Sequence, residues 1–273
     1  MKTIKEKTIG DLTYRILEKD SGYLGVIISD KKGRIGTFAG PDRDVLWNRL
    51  FEEAAKAHKD YFGFSGAKAR FLNFFPGEPA GFYSARYLEP KGERVYKEKA
   101  RDQLLATVPL ADATAGTGLG EKVLSVFQRT DVVSPFEKIR TAEMLRGPLA
   151  DAFVRAAARF TLGDGAAALS DMAEILQKYD NAKWPVATYL PFLWQPDRHM
   201  FLKPAVTKDF ATRVEHRFAS DYESTLTINV YQRLLNLADQ TEHELADLKP
   251  RDRIDIQSFI WVVGGYHDVE DAA

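Results

Sequence analysis

The hydrophobic period of this chain changes once, near residue 42, and that change limits the fold more than any other feature. Before it, Leu12, Tyr14 and Ile16 alternate with Thr13 and Arg15, the two-residue period of a half-buried strand. The turn-type tetrads KDSG (Lys19–Gly22) and DKKG (Asp30–Gly33) set this strand apart from YLGVIIS (Tyr23–Ser29) and RIGTFAG (Arg34–Gly40). A three-strand antiparallel meander is predicted. Such a sheet needs a cover for its apolar face. The next segment supplies it: Asp42 is placed to cap a helix on which Val45, Leu46, Leu50, Phe51, Ala54 and His58 recur at three- and four-residue steps.

Beyond the stretch FLNFFPGEPAGFYSARYLEPKGERVYKEKAR (Phe71–Arg101), helical patterns dominate. SPFEKIRTAEMLRGP carries a full set of boundary signals: Ser134 as cap, Pro135 at the first helical position, Glu137 to complete a capping box, and Gly147-Pro148 to stop. Further helices are predicted over Leu149–Leu162, Ser170–Tyr179, Lys208–Ala219, Thr227–Leu248 and Asp255–Val263. The expected fold class is α+β. A small N-terminal antiparallel β-meander with a helix (1–62) precedes a mostly α-helical body (63–267) and a frayed acidic tail (268–273). No repeat at a solenoid period is present.

Composition removes several chemistries. The 273 residues contain no cysteine, which excludes disulfides and thiolate metal sites and fits a reducing compartment. The N-terminus lacks the apolar core of a signal peptide, and no apolar run spans a bilayer, so a cytoplasmic protein without membrane partners is expected. Net charge is −1, but it is unevenly spread: residues 1–105 hold 20 Lys+Arg against 15 Asp+Glu, and the remainder 18 against 24. A modest basic face on the N-terminal part follows, not a chain wholly devoted to nucleic acid.

The five histidines show no metal-ligand spacing, and no Gly-x-Ser-x-Gly elbow exists, so neither a metal nor another cofactor is expected. TAGTGLGEK (Thr114–Lys122) sets Gly116, Gly118 and Gly120 before a helix, where backbone amides hold phosphate in other proteins. Lys122 is followed by Val123 rather than Ser or Thr, so the phosphate-loop pattern is incomplete, and a plain interhelical loop is the simpler reading. In WPVATYLPFLWQPDRHMFLKP, four prolines cut the segment into short pieces. It offers pocket candidates in Trp184, Tyr189, Trp194, His199 and Lys203. With Asp197, Asp252 and Asp255 it would form the site of a hydrolytic enzyme, one alternative function. A protein-interaction scaffold contacting a partner subunit is another.

The leading expectation rests on residues 68–101, where seven aromatic rings alternate with eight cations. Rings that stack on bases beside a cationic track hold single-stranded nucleic acid. Lys68, Arg70, Arg86, Arg94, Lys97 and Arg101 would contact the phosphates of DNA or RNA, with Tyr83 and Tyr87 stacking. On a helix over GERVYKEKARDQLLATV, Tyr96, Ala100, Leu104 and Val108 form the packed face and Arg94, Lys97 and Arg101 lie opposite. Glu93 and Glu98, each four residues from a cation, provide the competing reading of ordinary ion pairs. FLNFFPG, ERVYKEKA, WP…LPFLW…FLKP and PRDRIDIQSFIWV together resemble bacterial proteins associated with restriction and phage-defence loci, over most of residues 64–263. The resemblance favours a nucleic-acid-associated role and supplies no catalytic residues; the leading expectation is a non-catalytic nucleic-acid-associated binding module of a bacterial defence or DNA-handling system.

Overall fold

The computed structural model describes residues 1–19, 21–57 and 61–266. The protein is α+β. Strands β1 (Lys2–Ile9), β2 (Leu12–Lys19), β3 (Gly22–Ser29) and β4 (Gly33–Gly40) form one antiparallel sheet in chain order. The meander therefore has four strands where the hydrophobic pattern predicts three. Strand β1 escapes that pattern because its positions opposite Tyr14 and Ile16 are Lys7 and Lys5. Their ammonium groups sit over aromatic rings, Lys7 at 3.4 Å from the Phe62 centroid and Lys5 at 4.6 Å from Trp47. Long cationic side chains thus cover an edge of the core that aliphatic residues normally would.

Helix α1 (Arg43–Ala57) lies across the inner face of the sheet. Asp42 caps it as predicted, its Oδ1 accepting from the amides of Asp44 and Val45, each at 2.9 Å. Leu46, Leu50, Phe51 and Ala54 pack with Leu12, Tyr14, Ile16 and Ile27. Trp47 joins them, whereas Val45 is 68% exposed. Each residue turns about 100° on a helix, which puts Val45 nearly opposite the stripe formed by Leu46, Trp47, Leu50, Phe51 and Ala54. Beneath the helix, a Cβ at Gly25 would fall 2.8 Å from Leu50 Cδ2, so glycine lets sheet and helix approach. His58 lies outside the described residues, as does the tail expected at 268–273.

The body comprises α2 (Gly63–Phe74), α3 (Ala85–Leu88), α4 (Val95–Thr107), α5 (Leu110–Ala113), α6 (Gly120–Gln128), α7 (Pro135–Arg146), α8 (Ala150–Leu162), α9 (Gly165–Gln177), α10 (Trp184–Trp194), α11 (Pro204–Arg213), α12 (Phe218–Asp221), α13 (Ile228–Glu244) and α14 (Arg253–Gly265). Both halves of the capping box at Ser134 and Glu137 are formed, with Pro135 in the first turn. The predicted helix over Lys208–Ala219 is split into α11 and α12, and α13 stops at Glu244, before a separate 3-10 turn. The prolines do not cut 184–194: α10 runs unbroken through Pro191 with every residue buried. Packing on all sides outweighs the backbone hydrogen bond that Pro191 cannot donate. A second core, built on residues from Ala55 to Val263, fills the body. Among the described residues no helix is long and apolar enough to cross a membrane.

Gly25→Val tests the sheet–helix contact. The added side chain forces Leu50 and Leu46 out of place, and overpacking of this kind costs about 1–3 kcal/mol. Urea unfolding is expected to show that loss, and Ala39→Val, on the exposed edge strand, little change.

Candidate functional site

Helix α4 was expected to turn Arg94, Lys97 and Arg101 towards solvent; instead it carries two of them inward. Ala100, Leu104 and Val108 are fully buried as predicted. Lys97 is 1% exposed, and its Nζ donates to Glu93 Oε2 at 2.8 Å and to Ser258 Oγ at 2.7 Å. Arg94, 6% exposed, donates through Nε to Glu98 Oε1 at 2.6 Å and through Nη2 to Asp252 Oδ2 at 2.7 Å. Its Nη1 bonds Asp252 Oδ1 and, at 3.0 Å, Asp255 Oδ1. Asp255, with no exposed surface, also accepts from the Arg251 amide and guanidinium and from Tyr87 OH at 2.8 Å. These bonds fasten α4 and α3 to the start of α14, where Asp252 also caps the helix by accepting from Ile254 N.

The network holds Asp255 and Glu93 ionised. Burial alone would raise the Asp255 carboxyl, but the hydrogen bonds from Arg251 and the charge of Arg94 overcome it and keep the group below the usual aspartate range. Burial also opposes ionisation of Glu93, and Lys97, Tyr266 and Tyr96 outweigh it, again lowering the carboxyl. Tyr87 is driven the other way, well above the ordinary tyrosine range, first by burial and then by the adjacent Asp255 charge. It is a fixed donor, not an acid for catalysis.

The rest of the predicted phosphate-and-base set does not assemble into one face. Arg70, 6% exposed, donates from Nε to Val263 O and from Nη2 to Tyr266 O. Tyr87 is enclosed by Phe71, Phe75 and Phe82, and so has no free ring face for a base. Lys68 pairs with Asp247 at 2.7 Å at the surface. Tyr83 keeps an exposed ring, with its hydroxyl on Lys249 O and the Arg251 guanidinium beside it. Arg86 and Arg101 are partly exposed. Arg70, Tyr87, Arg94 and Lys97 thus serve the fold. Burying an unpaired cation is costly, so the chain supplies Arg70, Arg94 and Lys97 with acceptors.

Most of the predicted pocket residues are core as well. Trp184 donates to Glu223 O and Trp194 to Val108 O. His199 Nε2 lies 3.0 Å from Thr161 O, which only accepts, so the proton is on Nε2 and Nδ1 accepts from Tyr231 OH. Burial holds this imidazole below the ordinary histidine range, and it stays neutral. Asp197 is exposed, and Asp252 and Asp255 are neutralised by arginines, so no free carboxylate pair forms there. The glycine loop is filled by the chain itself: Gly118 N and Leu119 N both donate at 2.9 Å to the carboxylate of Asp151. Those two amides lower the Asp151 carboxyl, so the place a phosphate would take already holds an anion.

Lys203 differs. It lines a cleft of about 270 Å³ with Tyr96, Arg129, Thr130, Gln257 and Trp261, and with Asp131 at the rim. Three elements build it: Tyr96 from α4, Gln257 and Trp261 one turn apart on α14, and the segment after α6. Thr130 is fixed by a 2.7 Å hydrogen bond to Tyr189, which is how that predicted pocket residue bears on the cleft without lining it. Lys203 Nζ stands 3.8 Å above the Trp261 ring. Among the described residues no carboxylate pairs with it; Asp131 pairs with Lys138 at 2.8 Å instead. Burial lowers the Lys203 ammonium below the ordinary lysine range, with Glu137 and Glu93 opposing and Lys97 assisting. Sequence spacing had no access to this grouping, because its members lie in segments more than 30 residues apart. Among the described residues no cluster of metal-ligating side chains exists.

Asp255→Ala is expected to destabilise the protein by about 3–5 kcal/mol, because it leaves two arginines short of a buried partner. A double-mutant cycle of Asp255→Ala with Arg94→Met in urea unfolding measures the coupling. Because the folded state depresses Asp255 and Glu93, their contribution is complete above the unfolded carboxylate values of about 4. It is lost as pH falls through the lower folded values, so stability is expected to drop on acidification in that window, with a smaller drop in Asp255→Asn. No family model, curated protein or solved structure matches this chain.

Proposed function

We propose that this chain is a small-molecule-binding protein that takes an anionic ligand in the Lys203 cleft. The observation that carries the reading is the half-buried Lys203 ammonium, seated over Trp261 at 3.8 Å and without a carboxylate partner among the described residues. The buried cations Arg94 and Lys97 are paired with carboxylates, so this one stands apart. A cation drawn out of water favours an anion that replaces its lost solvation. Arg129 supplies a second positive group at the wall, held through its Nε by Gln103. The Trp261 and Tyr96 rings add apolar surface, and a concave site of mixed ring and polar lining is the usual form of a small-ligand site.

This reading replaces a phosphate track along α4 as the leading one, since a nucleic-acid partner would have to be held without Arg70, Tyr87, Arg94 and Lys97. It differs from the hydrolytic alternative in asking for no carboxylate pair.

Titration calorimetry with benzoate, acetate and inorganic phosphate tests it. At least one is expected to bind, with the affinity lost in Lys203→Met and partly kept in Lys203→Arg. Binding requires the ammonium, so affinity is expected to hold at neutral pH and to fall as pH rises through the Lys203 value, below the ordinary lysine value of about 10.4. The charged groups acting on Lys203 are Glu137, Glu93 and Lys97. Absence of heat with all three anions at pH 6–7, or affinity unchanged in Lys203→Met, sinks the proposal.

A further inference from the structure

Strand β3 is apolar on both of its faces. Tyr23 and Ile27 point with Gly25 towards α1, whereas Leu24, Val26 and Ile28 point away from it. A strand with one wet face alternates, as Leu12 to Ile16 do in β2. A short run apolar at both parities belongs instead to a strand buried on both sides. Helix α1 covers only the inner side. Leu24, Val26 and Ile28, with Leu17 paired beside Leu24, belong to neither of the two cores. Val26 at the centre is 3% exposed, and Leu17, Leu24 and Ile28 are half-buried. The outer face of the sheet is therefore an apolar patch, and none of these residues lines the Lys203 cleft.

We infer that this outer face is where a second copy of the chain docks, the two sheets packing face to face. Edge-to-edge pairing is disfavoured: β1 and β4 each carry a bulge, at Ile4 and Ile35, and β1 adds Lys2, Lys5 and Lys7. The charge pattern fits a copy of the same face. Across the sheet one row reads Glu6, Arg15, Val26 and Thr37, and its two charges pair at 2.6 Å. A two-fold axis along the strands, between β2 and β3, turns this row end for end. Arg15 of one copy then lies over Val26 of the other, Glu6 over Thr37 and Leu17 over Leu24, so no like charges meet. A face that is neutral at its middle offers little to a nucleic acid or an anionic membrane. Four strands of eight residues make a face of about 27 by 19 Å, or about 1,000 Å² for two copies, the lower end of what a specific dimer buries.

Sedimentation velocity of the full chain over about 1–500 μM, where an interface of this size dissociates, tests the dimer. A monomer–dimer equilibrium is expected. Leu24→Lys, and Thr13→Lys beside Ile28, are each expected to weaken it at least about tenfold, since each ammonium loses water in the contact. Val45→Lys, at an exposed apolar position on α1, is expected to leave it unchanged. Thr13 is a polar position, so its variant keeps the test open if Leu24→Lys does not fold; circular dichroism and thermal unfolding check both. Leu17→Glu alone is expected to weaken the dimer as well, and a mixture of Leu17→Glu with Leu24→Lys to associate again, because the axis sets those side chains opposite each other. Loss of folding does not produce that recovery. A monomer at every concentration overturns the inference and leaves the face to a different partner. A dimer that persists in both lysine variants overturns it too, as does a mixture that stays monomeric.

Discussion

The Asp255 carboxylate is the point on which the helical body turns. It sits at the start of α14 with no exposed surface and accepts from Arg94, Arg251 and Tyr87, groups delivered by three separate segments. A buried carboxylate of this kind is tolerated only when donors surround it, and each donor is therefore fixed in place by the need to satisfy it. Helix α4 is consequently held against α14 in one rotation. That rotation turns Lys97 onto Ser258 and Tyr96 towards the cleft.

The same constraint explains why a run of cations in the chain is not a basic surface. Arg94 and Lys97 look like a solvent-facing stripe when projected on an isolated helix, but α4 packs on two sides. Its apolar side, Ala100, Leu104 and Val108, enters the core; at its start Arg94 meets Asp252, Asp255 and Glu98, and Lys97 meets Glu93 and Ser258. The glycine loop follows the same logic. Its amides are suited to an anion, and Asp151 of the neighbouring helix provides one. In both places an apparent ligand site is satisfied from within. Lys203 has no such partner among the described residues, and rings and positive charge of the kind expected along residues 68–101 meet around it, with Tyr96 the member common to both.

Much of the fold was legible in local sequence. The alternation at Leu12, Tyr14 and Ile16, the cap at Asp42 and the capping box at Ser134 and Glu137 each depend on interactions within a few residues, and all of them form. Strand β1 was missed because Lys5 and Lys7 occupy its inner positions, and hydrophobic pattern does not register a cation lying on an aromatic ring. The continuity of α10 through Pro191 was missed because its support comes from packing on every side rather than from its own backbone.

What the sequence determined by itself is the class of object: an antiparallel meander under a helix, then a helical body, with no thiol chemistry and no local metal or nucleophile motif. What only the tertiary structure decided is which charges are spent inside. Arg94 and Asp252 are 158 residues apart, Lys97 and Ser258 161, and the cleft joins Tyr96 to Lys203 and Gln257. Periodicity reports the side of its own element on which a residue lies, whereas the pairing of a buried charge depends on which distant segment is brought against that side. Lys203 is left without a carboxylate partner among the described residues because Glu93 is engaged by Lys97, Glu137 by Ser134 and Asp131 by Lys138.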